Sequence, residues 1–351
     1  MVRAVIADDS AVMRETLGKM LEDGGIDVVA RANDGHEAVE AIERHEPDVA
    51  TIDILMPGLT GHEVIEQVMA SNPTPMVVIS SQTTENADAT FEALEAGAVD
   101  FLAKPSGDRS VDIWTRQDEI VEKVRAVASA SVSVPETDRP TQTDHGAATL
   151  SADEAFPNDP TVVIGASTGG PRVVEDVLAS LPVRAGLRVI VVQHMADHYT
   201  GRFAGRLDDR SEYDVREASE GDRVGPGEGI LAKGGSHLMV TGMRGGRVAV
   251  ALDDGPKRHN VRPAIDVTME TAAERVTGNL AGVVLTGMGA DGAAGLEAIA
   301  RAGGKTIVQD ERTSRVYGMP KVAADRVDVD MTLPNDRVAE GIVNAFAGWS
   351  A

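Results

Sequence analysis

The chain has 351 residues, which is too long for one ordinary globular core and suits two, because single domains usually hold about 100–200 residues. It contains no cysteine, so disulfides, thiolate metal sites and cysteine nucleophiles are excluded. Its formal net charge of −23 disfavours a nucleic-acid partner, because binding phosphates needs a concentrated surface of lysine and arginine.

No apolar stretch reaches the roughly 20 residues that a membrane helix needs, so we expect no membrane insertion and a cytoplasmic location. The acidic excess has two interpretations. It is either an ordinary acidic surface or an adaptation to concentrated salt, where repulsion between like charges is screened. The preference for arginine over lysine and the low aromatic content favour adaptation to salt, as in a halophile.

The N-terminal segment, residues 1–128, alternates short β-branched runs with helical patterns. This alternation predicts a flavodoxin-like α/β domain, with a five-stranded parallel sheet whose functional residues cluster at the carboxyl ends of the strands. The predicted strands are Arg3–Ala7, Asp27–Ala30, Val49–Asp53, Met76–Ser80 and Asp100–Ala103.

Residues 129–160 are rich in serine, threonine, proline and acidic residues without apolar periodicity, which predicts a flexible linker. Residues 161–351 predict a second, doubly wound and mostly parallel α/β domain, with strands at Thr161–Gly165, Leu187–Gln193, Leu280–Thr286 and Lys305–Gln309. Glycine-rich turns separate three further short runs, which we interpret as antiparallel hairpins appended to the sheet: Gly229–Lys233, His237–Thr241 and Arg247–Leu252.

Three carboxylates end neighbouring strands of the first domain. Asp8 and Asp9 follow the first strand and Asp53 ends the third, and acids that converge in this way are best joined by a hard divalent cation such as Mg²⁺. Lys104 closes the fifth strand and Ser80 the fourth, so together they could hold a phosphoryl group on Asp53. Each residue alone could be a helix cap or a surface charge, but their joint placement favours a site.

The segment that carries these residues, including Asp53-Ile54-Leu55-Met56-Pro57-Gly58, resembles the receiver domains of response regulators. The resemblance implies that a histidine kinase supplies the phosphoryl group to Asp53. It also implies a Mg²⁺ site formed by Asp8, Asp9, Asp53 and the backbone carbonyl of Leu55. The resemblance matches Ser80 and Phe101 to the family's switch positions and groups Lys104 with them.

A serine lies in a tight turn between a strand and a helix, in Gly165-Ala166-Ser167-Thr168-Gly169-Gly170-Pro171. Such a turn exposes the hydroxyl and offers backbone N–H groups to an anion. His194 ends the next strand and Asp291 follows a later one, so we expect the three side chains at one edge of the sheet. His194 could take the serine proton and Asp291 could orient the imidazole. Taken singly, the three could be a helix cap, a strand-end histidine and a first-turn acid.

A competing interpretation is a dinucleotide site. Gly287-Met288-Gly289-Ala290-Asp291-Gly292 satisfies the glycine fingerprint of such sites, and Asp310 ends the next strand near the expected ribose-binding position. Asp291, however, would place a carboxylate at the helix terminus that should receive pyrophosphate. We therefore favour a hydrolase with Ser167, His194 and Asp291 as its catalytic residues.

From Thr161 to about Ala347 the chain resembles the catalytic domain of the CheB chemotaxis methylesterases. Besides the serine turn, the matching motifs are Gln193-His194-Met195, Arg262-Pro263-Ala264-Ile265-Asp266-Val267, Leu285-Thr286-Gly287-Met288-Gly289-Ala290-Asp291-Gly292 and Tyr317-Gly318-Met319-Pro320. The resemblance implies hydrolysis of glutamate methyl esters on the cytoplasmic helices of chemoreceptors, with release of methanol, and deamidation of receptor glutamines. It implies no metal or organic cofactor in this domain.

The oxyanion of such a reaction would be met by backbone N–H groups, for which Met288 and His194 are the candidates. A non-enzymatic alternative is a receiver-regulated scaffold whose second domain only binds receptor helices. Release of methanol from methylated receptors would distinguish the enzyme from the scaffold.

Overall fold

The computed structural model describes residues 1–80, 84–104, 114, 116–130, 132, 156 and 159–347, without the side chains of residues 84–86. The predicted linker, residues 129–160, lies largely outside the described residues and stays a prediction. The chain divides into two compact units, Met1–Arg139 and Pro140–Ala351. No helix in the described part of the chain is long and apolar enough to cross a membrane.

The first unit is a five-stranded parallel sheet with helices on its crossovers, in the strand order β2-β1-β3-β4-β5. All five predicted strands are present, and the second extends to Ala32. The strands are β1 (Arg3–Ala7), β2 (Asp27–Ala32), β3 (Val49–Asp53), β4 (Met76–Ser80) and β5 (Asp100–Ala103). The helices are α1 (Ala11–Asp23), α2 (Gly35–His45), α3 (Gly61–Ser71), α4 (Thr84–Ala96) and α5 (Gln117–Ala128).

The start of α3 shows how local sequence shapes this unit near Asp53. Thr60 and Glu63 form a capping box, in which the Glu63 N–H donates to Thr60 Oγ1 at 3.3 Å and the Thr60 N–H donates to Glu63 Oε2 at 2.8 Å. A Cβ atom at Gly61 would lie 2.3 Å from the backbone oxygen of Asp53. Only glycine therefore lets the loop before α3 pass this close to the end of β3.

The second unit is built on a seven-stranded parallel sheet with the order β15-β14-β13-β6-β7-β10-β8. Its strands are β6 (Thr161–Ala166), β7 (Arg188–Gln193), β8 (Asp214–Glu217), β10 (Glu228–Leu231), β13 (Leu280–Val284), β14 (Lys305–Gln309) and β15 (Met331–Leu333). A separate antiparallel sheet contains β9 (Arg223–Val224), β11 (His237–Arg244) and β12 (Arg247–Asp253). The helices are α6 (Gly170–Ser180), α7 (Asp197–Arg210), α8 (Ile265–Arg275), α9 (Ala293–Arg301), α10 (Met319–Arg326) and α11 (Asn335–Ala347).

The interpretation of Gly229–Lys233 as part of an antiparallel hairpin is wrong. The corresponding strand, β10, pairs in parallel with β7 and β8, so that Ile230 lies between Ile190 and Arg216. The other two runs do form the predicted hairpin, as β11 and β12. Three of the four residues of β10 are buried, and so short an apolar run has no periodicity that separates an inserted parallel strand from a hairpin arm.

The order of the seven strands determines where a site can form. The second unit begins with β6 in the middle of the sheet. The chain continues to β7 on one side of β6, and later crosses to β13 on the other side of β6. The carboxyl ends of β6, β7 and β13 therefore surround a point where the winding direction reverses, which is where open α/β sheets bind ligands. This edge lies directly before Ser167, His194 and the loop that contains Asp291.

The acidic excess is a surface property. Among the acidic side chains that the structure describes, the buried ones are Asp8, Asp53, Asp100, Glu175, Asp266 and Asp291. Most of the 56 aspartates and glutamates therefore lie outside the two cores, and they give the chain its net charge of −23.

We expect the melting temperature to rise by more than about 5 °C between 0.1 M and 3 M KCl, because screening shortens the Debye length from about 10 Å to less than about 3 Å. Thermal unfolding followed by circular dichroism over this range is the measurement. Sucrose at matched osmolality is the control for general solute effects. A melting temperature independent of KCl would contradict the salt-adaptation hypothesis.

Candidate active site

The candidate nucleophile, Ser167, lies immediately after β6 in a turn that the backbone holds on both sides. Its N–H donates to the Thr286 oxygen at 3.0 Å, and its own carbonyl accepts from the Gly170 N–H at 2.8 Å. Gly169 has a φ of +75°, which a residue with a side chain adopts only with strain. The turn therefore leads directly into α6 and leaves the Ser167 side chain half-buried rather than packed into the core.

His194 lies beside this turn because of the pairing between β6 and β7. Ala166 and Gln193 are register partners, and the next residues on the two strands are Ser167 and His194. The Gln193 side chain fastens both, since its Nε2 lies 2.9 Å from the Ser167 carbonyl oxygen and 3.2 Å from that of His194. Within the described residues no hydrogen bond joins Ser167 Oγ to the imidazole, a contact that is often long without substrate.

Asp291 completes the grouping through a direct contact with the imidazole. His194 Nε2 lies 2.8 Å from Asp291 Oδ2, and the two side chains are 12% and 2% exposed. A carboxylate accepts hydrogen bonds, so Nε2 carries the proton in the neutral imidazole. Nδ1 is then the ring atom with the free lone pair, and it is the atom that can accept the Ser167 proton.

Asp291 and Asp266 cap each other's helices. Asp291, which precedes α9, accepts the N–H groups of Ile265 and Asp266 at the start of α8, at 2.7 and 2.9 Å. Asp266, on α8, accepts the N–H groups of Gly292 and Gly295 at the start of α9, at 3.0 and 2.7 Å. Both carboxylates thus lie where helix dipoles favour negative charge, and neither can move without disturbing the other helix.

These contacts decide the ionisation of Asp291. Burial alone would raise the pKa of Asp291, but hydrogen bonds from His194 and from the backbone N–H groups of Asp266 and Ile265 together hold that pKa below its usual value. Asp291 is therefore a carboxylate at neutral pH, and it can orient His194 and stabilise the imidazolium that forms during proton transfer.

The two predicted oxyanion donors differ in availability. The His194 N–H donates to the Ala166 oxygen at 3.0 Å as a continuation of the sheet, so it is occupied. No hydrogen bond from the Met288 N–H is formed among the residues that the structure describes. Met288 belongs to a loop held next to the nucleophile, since a Cβ at neighbouring Gly287 would lie 2.8 Å from Ser167 Cβ. Met288 is thus the better-placed candidate.

The same loop argues against a dinucleotide. The N-terminus of α9, which pyrophosphate would need, already receives the carboxylates of Asp266 and Asp291. Asp310, the candidate ribose ligand, accepts hydrogen bonds from Thr313 in its own turn, at 2.9 Å from the N–H and 2.6 Å from the hydroxyl. Its placement serves local structure.

The predicted phosphorylation site comes together at the carboxyl end of the first sheet. Asp8 is fully buried, Asp53 nearly so and Asp9 is exposed, and the three offer carboxylate oxygens that all lie within 4.8 Å of one another. Lys104 Nζ lies 2.8 Å from Asp8 Oδ2 and 2.7 Å from Asp53 Oδ2. The predicted switch residues are both buried: Ser80 ends β4, and Phe101 is the second residue of β5.

The charges of this site are incompletely compensated. Burial raises the pKa of Asp53 to about 6, although Lys104 acts in the opposite direction. The pKa of Lys104 is also above its usual value, because Asp53 and Asp8 together outweigh burial. Asp8 Oδ2 has its ion pair with Lys104 but is aligned for no hydrogen bond in the described part of the chain. An oxygen-rich, under-compensated set of this kind fits a hard divalent cation.

Asp266 and Gln193 are the functional side chains that sequence reasoning assigned no role. Both belong to motifs that carried the family resemblance, Gln193-His194-Met195 and Arg262–Val267. Their contribution is to hold other residues in place, and such a role depends on which backbone groups surround the side chain in the fold.

The comparisons with known proteins agree with this geometry. Residues 162–342 match the family model described as CheB methylesterase, and residues 4–112 match the response regulator receiver domain. A protein-glutamate methylesterase/protein-glutamine glutaminase from Haloarcula marismortui is 48% identical over 98% of both chains, and one from Natronomonas pharaonis is 50% identical over 98% of both. These relatives support the halophile prediction.

Among solved structures, the catalytic domain of the CheB methylesterase from Thermotoga maritima is 39% identical, with a TM-score of 0.51. The match covers 53% of this chain and 98% of that one. It therefore accounts for the second unit alone, while the full-length relatives extend over both units. The chain belongs to the CheB methylesterase family, in the form that carries a response regulator receiver domain.

Proposed function

We propose that this protein is a phosphorylation-regulated chemotaxis methylesterase that hydrolyses glutamate methyl esters on chemoreceptors, releasing methanol, and also deamidates receptor glutamines. The observation that carries the proposal is the 2.8 Å contact between His194 Nε2 and Asp291 Oδ2, formed beside the Ser167 turn at the switch point of the sheet. This arrangement is suited to acyl transfer through a serine. Full-length relatives that bear this activity in their names support the assignment.

In the first half of the reaction, His194 Nδ1 takes the proton of the Ser167 hydroxyl as Ser167 Oγ attacks the ester carbonyl carbon. Asp291 stabilises the imidazolium, and the Met288 N–H donates to the tetrahedral oxyanion. The intermediate collapses with cleavage of the bond to the methoxy group, which leaves as methanol with the proton from His194. Ser167 then carries the glutamyl group as an ester.

In the second half, His194 removes a proton from water as the water attacks the acyl-enzyme. Collapse returns the proton to Ser167 Oγ and releases the receptor side chain as glutamate. With a glutamine substrate the same steps release ammonia instead of methanol. The residues in the site thus give both reactions the same product, a receptor carboxylate.

The receiver would control this reaction through Asp53. A histidine kinase of the chemotaxis pathway is the proposed phosphodonor, and Mg²⁺ held by Asp8, Asp9 and Asp53 with the Leu55 carbonyl would neutralise the phosphoryl oxygens. Lys104, whose Nζ lies 2.7 Å from Asp53 Oδ2, would bind a phosphoryl oxygen, and buried Ser80 and Phe101 would respond to it. The proposed consequence is that phosphorylation shifts the protein from an inhibited to an active arrangement.

The proposed activity is tested by incubating the purified full-length protein with membranes that contain methylated chemoreceptors, with and without acetyl phosphate and Mg²⁺. We expect release of methanol that increases with the phosphodonor, and conversion of specific receptor glutamines to glutamates by mass spectrometry. Tight binding to the membranes without either product would support the scaffold and overturn the esterase.

Asp53→Asn should abolish stimulation by acetyl phosphate while the basal rate of methanol release persists, because the amide cannot accept a phosphoryl group and the esterase residues are untouched. Asp27→Asn is the matched control that should still be stimulated, because Asp27 is exposed and lies at the amino end of β2.

Removal of residues 1–128 should raise the basal rate of methanol release if the unphosphorylated receiver inhibits the esterase. An isolated second domain no faster than the unphosphorylated chain would overturn inhibition by the receiver.

A further inference from the structure

A tight turn near the candidate triad has an unusual backbone. Arg258 and Val261 exchange both backbone hydrogen bonds, at 3.2 and 3.0 Å, and enclose His259 and Asn260. Both enclosed residues have positive φ, 53° and 61°, as in a type I′ turn. Glycine adopts this conformation without steric cost, whereas side chains strain it. His259 therefore keeps its imidazole in this turn at a cost in backbone strain.

The turn presents that imidazole to Asp266. His259 Nε2 lies 2.8 Å from Asp266 Oδ2, while the ring remains 36% exposed and the carboxylate is 1% exposed. Arg258 binds the same oxygen at 3.3 Å and is anchored to α8 by two contacts with Glu270, at 2.5 and 2.7 Å. The turn is therefore fixed to α8, and His259 acts on Asp266 from a defined direction.

Asp266 transmits this contact to the triad. Its other oxygen accepts the N–H groups of Gly292 and Gly295, and its own N–H donates to Asp291 Oδ1. His259 Nε2 also lies 3.8 Å from Asp291 Oδ1. A change in the orientation of Asp266 therefore shifts the loop that carries Asp291, and Asp291 holds His194 Nε2.

A metal ion is a poorer explanation for the same grouping. His259, Asp266 and Asp291 have the composition of a metal site. However, all four carboxylate oxygens already accept hydrogen bonds from backbone or imidazole donors. The Arg258 guanidinium occupies the place where a cation would approach Asp266. Because the carboxylate oxygens of Asp266 and Asp291 are already occupied, a positioning role for the His259 imidazole explains the grouping better than a metal site does.

We propose that His259 is a positioning residue of the esterase: from its strained turn it fixes Asp266, and through the paired helix caps it holds Asp291 in the orientation that His194 requires. The inference rests on the proposed function for its effect on turnover. Its structural content, the dependence of the His194–Asp291 contact on His259, does not depend on the substrate.

Two glycine variants of the full-length chain separate the imidazole from the backbone. His259→Gly relieves strain and removes the ring, whereas Asn260→Gly relieves strain in the same turn and keeps it. We expect Asn260→Gly to melt close to wild type, and His259→Gly to melt lower, because it leaves the buried Asp266 Oδ2 without its imidazole donor. His259→Gly should lower kcat for methanol release by about 3- to 10-fold with KM little changed, a size typical of coupling between contacting residues. Asn260→Gly should retain wild-type kcat. His259→Gln, which keeps an N–H donor, should recover most of the loss.

A readout that needs no substrate accompanies the kinetics. The ring ¹⁵N chemical shifts of His194, assigned by their loss in His194→Gln, should change in His259→Gly and not in Asn260→Gly. Unchanged His194 signals in His259→Gly, or a rise in KM with constant kcat, would overturn the positioning role. Wild-type protein that releases no methanol would instead contradict the proposed function, and the nitrogen shifts would still decide the inference.

Discussion

Ser167→Ala should reduce methanol release by about 10⁴-fold or more, because no other group in the site can form the acyl-enzyme and only binding and the oxyanion donor remain. Alanine keeps the Cβ that lies against Gly287 and removes only an oxygen. The turn is held by backbone hydrogen bonds that the substitution does not touch. The loss should therefore appear in kcat, measured as initial methanol release from methylated receptor membranes, without a change in melting temperature.

Ser180→Ala is the matched control for this experiment. Ser180 ends α6, the helix that starts at the Ser167 turn, and its hydroxyl donates to the Asp176 carbonyl at 2.8 Å. Its replacement removes a hydroxyl from the opposite end of the same helix, about 15 Å from the Ser167 turn at 1.5 Å per residue, so turnover should persist. Near-normal turnover by Ser167→Ala, with Ser180→Ala equally active, would remove Ser167 from the mechanism.

Asp291→Asn should lower kcat by about 10³- to 10⁴-fold with a smaller effect on KM. Asparagine has the same shape but no charge, so it does not stabilise the imidazolium. Its amide can also donate a hydrogen bond, so it does not keep the proton of the neutral His194 ring on Nε2 as a carboxylate does. The replacement also disturbs the caps of α8, since the carboxylate accepts the N–H groups of Ile265 and Asp266. Thermal unfolding must accordingly be measured alongside kcat and KM.

Asp266→Asn provides the comparison, because it weakens the reciprocal helix caps to a similar extent and affects the orientation of Asp291 only indirectly, while the charge on Asp291 is kept. It should cost stability but much less turnover than Asp291→Asn. Combined with Ser167→Ala, Asp291→Asn should add little, because residues that act as a unit are not additive. Equal losses of turnover in the two aspartate variants would show that the helix caps, not the charge on Asp291, support catalysis.

The parallel strands and the motifs at their carboxyl ends follow from the sequence alone. β-Branched runs such as β1, β3 and β14 are bounded as predicted because each is a short apolar segment between clear turn or helix signals. Such ends meet at one edge of a parallel sheet, so the sequence alone assigns Asp53 to that edge of the first sheet and Ser167 and His194 to that edge of the second. The acidic charge and the absence of cysteine likewise follow directly from composition.

Tertiary structure decided what depends on partners distant in sequence. The four residues of β10 could join a hairpin or a parallel sheet, and only pairing with β7 and β8 selected the sheet. From the sequence, the His194 N–H is a plausible oxyanion donor. In the structure it donates to the backbone carbonyl oxygen of Ala166, because the pairing of β6 and β7 continues past the ends of the strands. In both cases the local residues allow either outcome, and hydrogen bonds to another strand settle it.

The roles of Asp291 and Asp266 show the same division. The local sequence predicts that an acid just before α9 caps that helix. In the structure Asp291 also caps α8, and Asp266, which belongs to α8, caps α9. This exchange requires the two helix N-termini to meet, which the packing of α8 and α9 determines and no local pattern encodes. The sequence by itself therefore determined which residues are the candidates for the chemistry, and the tertiary structure decided which carboxylate accepts which N–H, because those bonds join segments about 25 residues apart or more.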